Sequence, residues 1–370
     1  MAVIKRWLRA GILAFLFFTM SLGLSAAQWN DFENPTLISY LAPGDAITDG
    51  RALLRNALPF KNDEIRQIQA SLENISTQLR GKRWSGVKRD LGKVSRVLSF
   101  RAAELIESVP EIHQAEAESL IDQLKEGLIS LKTAAEATDK SEVLLQRNQM
   151  LDVVETLEYL MVSGFPFEVP PEYGNLPQLK GRATVDFKTA KGSVTAVLDG
   201  YSAPVTAGNF LDLVQRGFYD GLEFTRAEDS YVLQIGDPPG PEVGFIDPAS
   251  GEYRAIPLEI LVQGEAEPVY EFTLEEIGLY SEQPKLPFSA YGALAMARPG
   301  DDPNGASSQF FFFLFDRELT PPGFNLLDGR YAIFGYVTEG KDVLGQLKAG
   351  DKIDAVEVVK GIENLVEPST

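Results

Sequence analysis

The chain has 370 residues, 44% of them apolar, which suffices for two ordinary domains; its formal charge of −19 disfavours nucleic acid and anionic lipid as main partners. With no cysteine, disulfides, thiolate catalysis, a lipoprotein anchor and cysteine metal sites are excluded. The single histidine is His113, so any chemistry in the C-terminal half works without the commonest general base and metal ligand.

Residues 1–27 read as a secretory signal peptide. Lys5, Arg6 and Arg9 precede an apolar run over 10–24, and Ser25-Ala26-Ala27 supplies small residues for cleavage. The alternative is a retained membrane anchor, but the run is short of the roughly 20 residues that a hydrocarbon core needs. No other stretch is long enough, so no membrane span is expected after cleavage.

Helical periodicity then takes over, and a helical bundle domain is expected over 40–165. Ile65, Ile68, Leu72, Ile75 and Leu79 share one face. So do Val87, Leu91, Val94 and Leu98, then Leu120, Leu124, Leu128 and Leu131, and finally Met150, Val154, Leu157 and Met161. Pro110 stands where a helix can begin and Ser141 is a candidate N-cap. Lys82, Arg83, Lys88, Arg89, Lys93, Arg96 and Arg101 cluster around Trp84. That cluster reads as a solvated face, as a contact with the acidic C-terminal half, or as a docking surface for an acidic partner.

Residues 166–180, with Phe165-Pro-Phe-Glu-Val-Pro-Pro171 at their start, read as a stiff linker. From there the period changes to two. Residues 183–187 and 193–198 alternate across a glycine turn as a hairpin. Short β-type runs follow at 231–235, 292–297, 309–315, 332–337 and 355–359, with helical stretches at 207–216 and near 343–348. Many short strands and few helices indicate a barrel or sandwich.

Six segments then occur in order: Pro204-Val-Thr-Ala-Gly-Asn-Phe210, Gly217-Phe-Tyr-Asp-Gly-Leu-Glu-Phe-Thr-Arg226, Tyr231-Val-Leu-Gln-Ile-Gly-Asp237, Gly292-Ala-Leu-Ala-Met-Ala297, Ser307-Ser-Gln-Phe-Phe311 and Leu327-Asp-Gly-Arg-Tyr-Ala-Ile-Phe-Gly335. Through them residues 181–365 resemble the cyclophilin-type peptidyl-prolyl isomerases. The helical half, the export signal and Arg254-Ala-Ile-Pro-Leu-Glu-Ile260 resemble the large thylakoid-lumen cyclophilins of plants and cyanobacteria.

The resemblance implies an α+β multidomain protein: an N-terminal helical bundle, then an eight-stranded antiparallel β-barrel capped by two helices, with an outer groove for an X-Pro peptide. It implies no cofactor and no metal. The expected partners are proline-containing segments of client proteins, photosystem II subunits among them, in the thylakoid lumen or periplasm; an intramolecular contact between helical domain and barrel is also open.

Residue by residue, Arg226 falls on the family's catalytic arginine and Gln234 and Gln309 on its two glutamines. Tyr231, Met296, Ala297, Phe311 and Leu327 fall on the pocket. Alternation places Gln309, Phe311, Phe313 and Phe315 on one strand face and Phe310, Phe312 and Leu314 on the other. Taken alone, this run reads as a strand buried on both sides, and Arg226 as an ion pair with Glu228 or Asp229. The surrounding motif turns both toward a groove. Arg298, Leu326 and Tyr331 depart from the pattern, standing where asparagine, tryptophan and histidine are usual. A second guanidinium at Arg298 repels Arg226 or draws in acidic substrates. The long segment 238–291 walls the groove or docks on the bundle.

The chemistry suits these residue types. Prolyl isomerisation moves no proton; its barrier of ~18–20 kcal/mol is lost amide resonance. A guanidinium, always charged, can donate to the lone pair that the proline nitrogen gains only when the amide is twisted. Two functions stay open: an active isomerase, or a slow binding module and assembly chaperone working through its helical domain.

Overall fold

The computed structural model describes residues 47–228, 230–315 and 325–368, which fall in one compact unit. The expected signal peptide lies outside the described residues, as does Asp229.

The helical half opens with α1 (Gly50–Ala57), capped by Asp49, whose side chain accepts from the Arg51 amide. It continues through α2 (Asp63–Arg80), α3 (Trp84–Phe100), the short α4 (Ala102–Glu107), α5 (Gln114–Glu136) and α6 (Lys140–Leu160). Asn62 caps α2 through the Ile65 amide. The expected cap Ser141 lies inside α6; Asp139 takes the role, accepting from the Glu142 amide at 3.0 Å, because its carboxylate reaches the free first-turn donors. Pro110 precedes a single 3-10 turn that leads into α5.

The expected stripes meet. Ile65, Leu72, Val87, Leu91, Leu124, Leu131, Val154 and Leu157 form one buried cluster, with α2 packed on α3 and α6, and α5 on α6 and α3. The basic residues of α3 do not turn toward the acidic half, since that helix packs on α2, α4 and α5. Lys82, Arg83, Lys88, Arg89, Lys93 and Arg96 are exposed, in keeping with a solvated face.

The C-terminal half is an eight-stranded sheet of β2 (Arg182–Thr189), β3 (Gly192–Asp199), β4 (Arg226–Glu228), β5 (Val232–Ile235), β8 (Ala293–Met296), β9 (Phe310–Phe313), β10 (Ile333–Glu339) and β11 (Ile353–Lys360). Its order is β11-β2-β3-β10-β8-β9-β5-β4, and every neighbouring pair is antiparallel. A bridge between Glu223 and Lys352 joins the chain just ahead of the two edge strands and curls the sheet on itself. Phe187, Phe310, Phe312 and Phe334 fill the interior together with Phe210 of α7 (Pro204–Gln215). A second, one-turn helix, α8 (Lys341–Leu344), lies against β3.

The stretch read as a linker is not free-running. Tyr173, Leu176 and Leu179 are buried in the barrel's core, and β1 (Gln178–Leu179) pairs with β12 (Leu365–Val366) at the end of the chain. Apolar residues between prolines found a core to enter, which composition alone did not indicate.

The two halves touch through α1. Gly50 lies against Tyr336 of β10, where an added Cβ would meet the tyrosine's Cβ at 2.8 Å. The buried Arg182 guanidinium joins Asp199 at 2.8 Å and the carbonyl of Leu54, and Arg51 pairs with Glu339 at 3.0 Å. The segment 238–291 carries the small sheet β6 (Glu259–Ile260) with β7 (Val269–Tyr270). The Glu259 carboxylate caps α7 through the amides of Val205 and Thr206, and Arg254 pairs with Asp212 of α7 at 2.6 Å. The segment is thereby anchored to the barrel's own helix.

Candidate functional site

Strand register decides what can meet on the barrel's outside. Arg226 pairs across to Gln234, Gln234 to Phe311, Phe311 to Ala295 and Ala295 to Ile333. Residues directly opposite in antiparallel strands share a face. Phe310, Phe312, Leu233 and Ile235 belong to the interior, so this row faces outward. Phe311 and Phe313 join the outer cluster, as alternation predicts, yet both are buried, so the strand is covered on both sides.

At the row's polar end, Arg226 is exposed and its Nε donates to Glu228 at 2.7 Å. That is the ion pair weighed above, formed on the face that also carries Gln234. The Gln234 amide donates to Gln309 at 2.8 Å, and Gln309 to Asp237 at 2.9 Å and to the Val243 carbonyl at 2.8 Å. Gln234 therefore orients the second glutamine rather than the arginine. Gly236 makes this close approach workable: its φ is +103°, and a Cβ there would meet the Ser308 carbonyl at 2.3 Å.

At the apolar end, Phe311 meets the ring of Tyr331 edge-on at 5.6 Å, and Tyr231 meets Phe313 at 6.3 Å. Ala297, Leu327 and Tyr331 are half-buried against the same cluster. Two expected wall residues are elsewhere. Met296 pairs with Phe310 and is buried inside the barrel, one residue out of phase with the groove. Leu326 is 86% exposed, its side chain in solvent beside the site. Arg298 stands at the rim, its guanidinium 5.0 Å from the centre of the Tyr331 ring.

Motif reasoning missed the residue lying on Phe311. Phe288, 3% exposed, stacks on Phe311 with centroids 6.0 Å apart and meets Phe313 edge-on at 5.2 Å. The Phe288 amide donates to Asp328 at 2.7 Å, Asn325 donates its amide to the same carboxylate at 3.0 Å, and the Asn325 side chain reaches the Phe288 carbonyl. Burial pushes the Asp328 carboxyl up to about 6, against the pull of those two amides. Tyr336 donates to the Pro287 carbonyl and Ser289 to that of Ile47. Beside Phe288, Leu53, Leu54 and Ala57 of α1 join the outer cluster where that helix packs on β10. The only sequence signal was Leu286-Pro-Phe288, an apolar triplet in an acidic segment. The segment thus walls the groove, while α1 is the bundle's contribution.

Chemically, the arrangement offers a guanidinium, two amides and an aromatic floor on one face. Among the described residues no group of His, Cys, Asp or Glu is placed to hold a metal, and no helix is long and apolar enough to cross a membrane.

Residues 49–162 match the family of CYP38-like peptidyl-prolyl cis-trans isomerases in their PsbQ-like domain, and 184–364 match the cyclophilin type peptidyl-prolyl cis-trans isomerases. A relative from Synechocystis, named as a thylakoid lumen peptidyl-prolyl cis-trans isomerase, is 53% identical over 98% of this chain and 96% of its own. The chloroplastic isomerase CYP38 of Arabidopsis thaliana is 44% identical over 91% of this chain and 80% of its own. Among solved structures, a cyclophilin of Cryptosporidium parvum is 24% identical over 48% of this chain and 98% of its own, with a TM-score of 0.36.

Proposed function

The chain belongs to the cyclophilin-type peptidyl-prolyl cis-trans isomerases, and from that premise we propose that Arg226, Gln234 and Phe311 are its working residues, acting on client segments in the thylakoid lumen. The observation that carries this is the in-register outward row from Arg226 through Gln234 to Phe311. A proline ring seated on Phe311, between Tyr331, Leu327 and Ala297, places its nitrogen toward the polar end. As the amide twists, that nitrogen becomes pyramidal and accepts a hydrogen bond from Arg226, a contact absent from either planar form. Lowering the barrier by ~7 kcal/mol gives about 10⁵-fold acceleration.

Two contacts stand in the way. Arg226 is held by Glu228, and Phe288 occupies the space over Phe311. Substrate therefore displaces Phe288 and draws Arg226 from its carboxylate before the bond turns. These contacts also favour the second reading, a peptide-binding chaperone with slow turnover.

NMR exchange on a short X-Pro peptide separates the two. The full chain should accelerate exchange, and Arg226→Ala should reduce the acceleration at least tenfold. Peptide binding with exchange no faster than in buffer ends the enzymatic reading and leaves the chaperone. The lumen assignment follows the name of the Synechocystis relative and is tested by fractionation; photosystem II segments are the clients to try first.

A further inference from the structure

Three arginines stand around the outward row, and two are neutralised. Arg226 pairs with Glu228, and Arg330 with Glu275 at 2.6 Å. Arg298 differs. Its Nε and Nη2 donate to the Arg330 carbonyl at 3.0 and 2.9 Å, and its Nη1 donates to the Pro299 carbonyl at 3.0 Å. Among the described residues no carboxylate comes within ion-pair distance of it. Glu276 feels its charge, but that carboxylate is committed to Thr273, accepting from amide and hydroxyl at 2.8 Å each.

Carbonyl oxygens fix a guanidinium without cancelling its charge. A guanidinium carries five N–H donors, so three such bonds leave one on each Nη. Arg298 is thus a held, stacked and unneutralised fork in a protein of net charge −19. Its place matters as much. The ring it stacks on, Tyr331, is the one that meets Phe311 edge-on, so one aromatic ring separates the charge from the floor of the groove. An extended peptide advances about 3.3 Å per residue, which brings a side chain one or two positions from a seated proline within reach.

We infer that Arg298 is a specificity-determining residue that selects X-Pro segments with an aspartate or glutamate beside the proline. The selection rests on the groove proposed above, but binding alone tests it. A carboxylate docks on a fixed fork through two charge-assisted bonds, whereas an amide of the same shape lacks the charge and a lysine is repelled.

The test uses the full chain and three X-Pro peptides identical but for a Glu, Gln or Lys beside the proline. Their dissociation constants are read by fluorescence anisotropy and their kcat/KM by exchange NMR. The Glu peptide should exceed the Gln peptide by about three- to fivefold at low salt, the Lys peptide being weakest. The ratio should approach one in Arg298→Asn, and in about 1 M salt, where the screening length is about 3 Å. Arg298→Lys, which keeps the charge and loses the fork, should give an intermediate ratio. Equal binding of Glu and Gln peptides, a preference that survives in Arg298→Asn, or no binding of any peptide overturns the inference. Discrimination in binding without any acceleration leaves it standing and ends the isomerase reading.

Discussion

Across β8, β9 and β10 the sheet buries both of its faces, by opposite means. Inward, Phe187, Phe310, Phe312 and Phe334 pack on one another and on α7, so the strands cover themselves. Outward, Phe311 and Phe313 are covered by Phe288, and Leu53 and Leu54 of α1 join the same cluster where that helix packs on β10; both pieces are remote in sequence and held by a few polar anchors. A surface filled by its own strands has no rival occupant. A surface filled by a tethered segment can exchange that segment for something of like shape, which is what a peptide groove requires.

The contrast is sharpest in substitution. Phe310→Ala removes a fully buried interior ring and should cost ~3–5 kcal/mol in urea unfolding. Phe288→Ala should cost only ~2 kcal/mol, because the lip can relax toward solvent, and it should tighten X-Pro peptide binding several-fold. A loss equal to that of Phe310→Ala with unchanged peptide affinity would erase the distinction between the faces.

The outer cover should also respond to pH. Burial raises Asp328 to about 6 with Phe288 in place, whereas on opening, the carboxyl returns toward its ordinary range near 4. Protonation therefore favours the closed cover below pH 6, and this support is lost as pH rises through about 6. Peptide binding should be several-fold weaker at pH 5 than at pH 7.5, with the profile flattened in Asp328→Asn. The smallest effect belongs to Leu326→Ala: an exposed side chain should change stability by less than ~0.5 kcal/mol and leave binding untouched.

Much of this was legible in the chain. The leucine and isoleucine stripes placed the four long helices, and period-two runs placed seven of the sheet's eight strands within a residue or two, because both patterns are local; the three-residue edge strand Arg226–Glu228 is too short to show a period. Register along β9 was legible too: alternation alone put Phe311 opposite in facing to Phe310. The position of Met296 was misread because matching a motif says which residues are near a groove, not which way a strand turns them. The cover escaped notice for a different reason. Nothing local in Leu286-Pro-Phe288 or in α1 says that either meets Phe311 or Tyr336; such contacts are set by tertiary folding. Arg226 shows the converse, since the ion pair with Glu228 two residues on was readable at once, and the shared face with Gln234 only from pairing.

The short ladder between β1 and β12 has a consequence of its own. Gln178 and Leu179 zip against Val366 and Leu365, and the Lys180 amide donates to the Asn364 carbonyl at 2.8 Å. The C-terminal half therefore begins and finishes at a single seam, like a purse closed by one drawstring. Neighbouring ends of this kind tolerate being fused and reopened elsewhere. A circularly permuted barrel, cut at an exposed hairpin such as Ala190–Lys191 and sewn at the seam, keeps every strand pairing while shedding its tie to the helices.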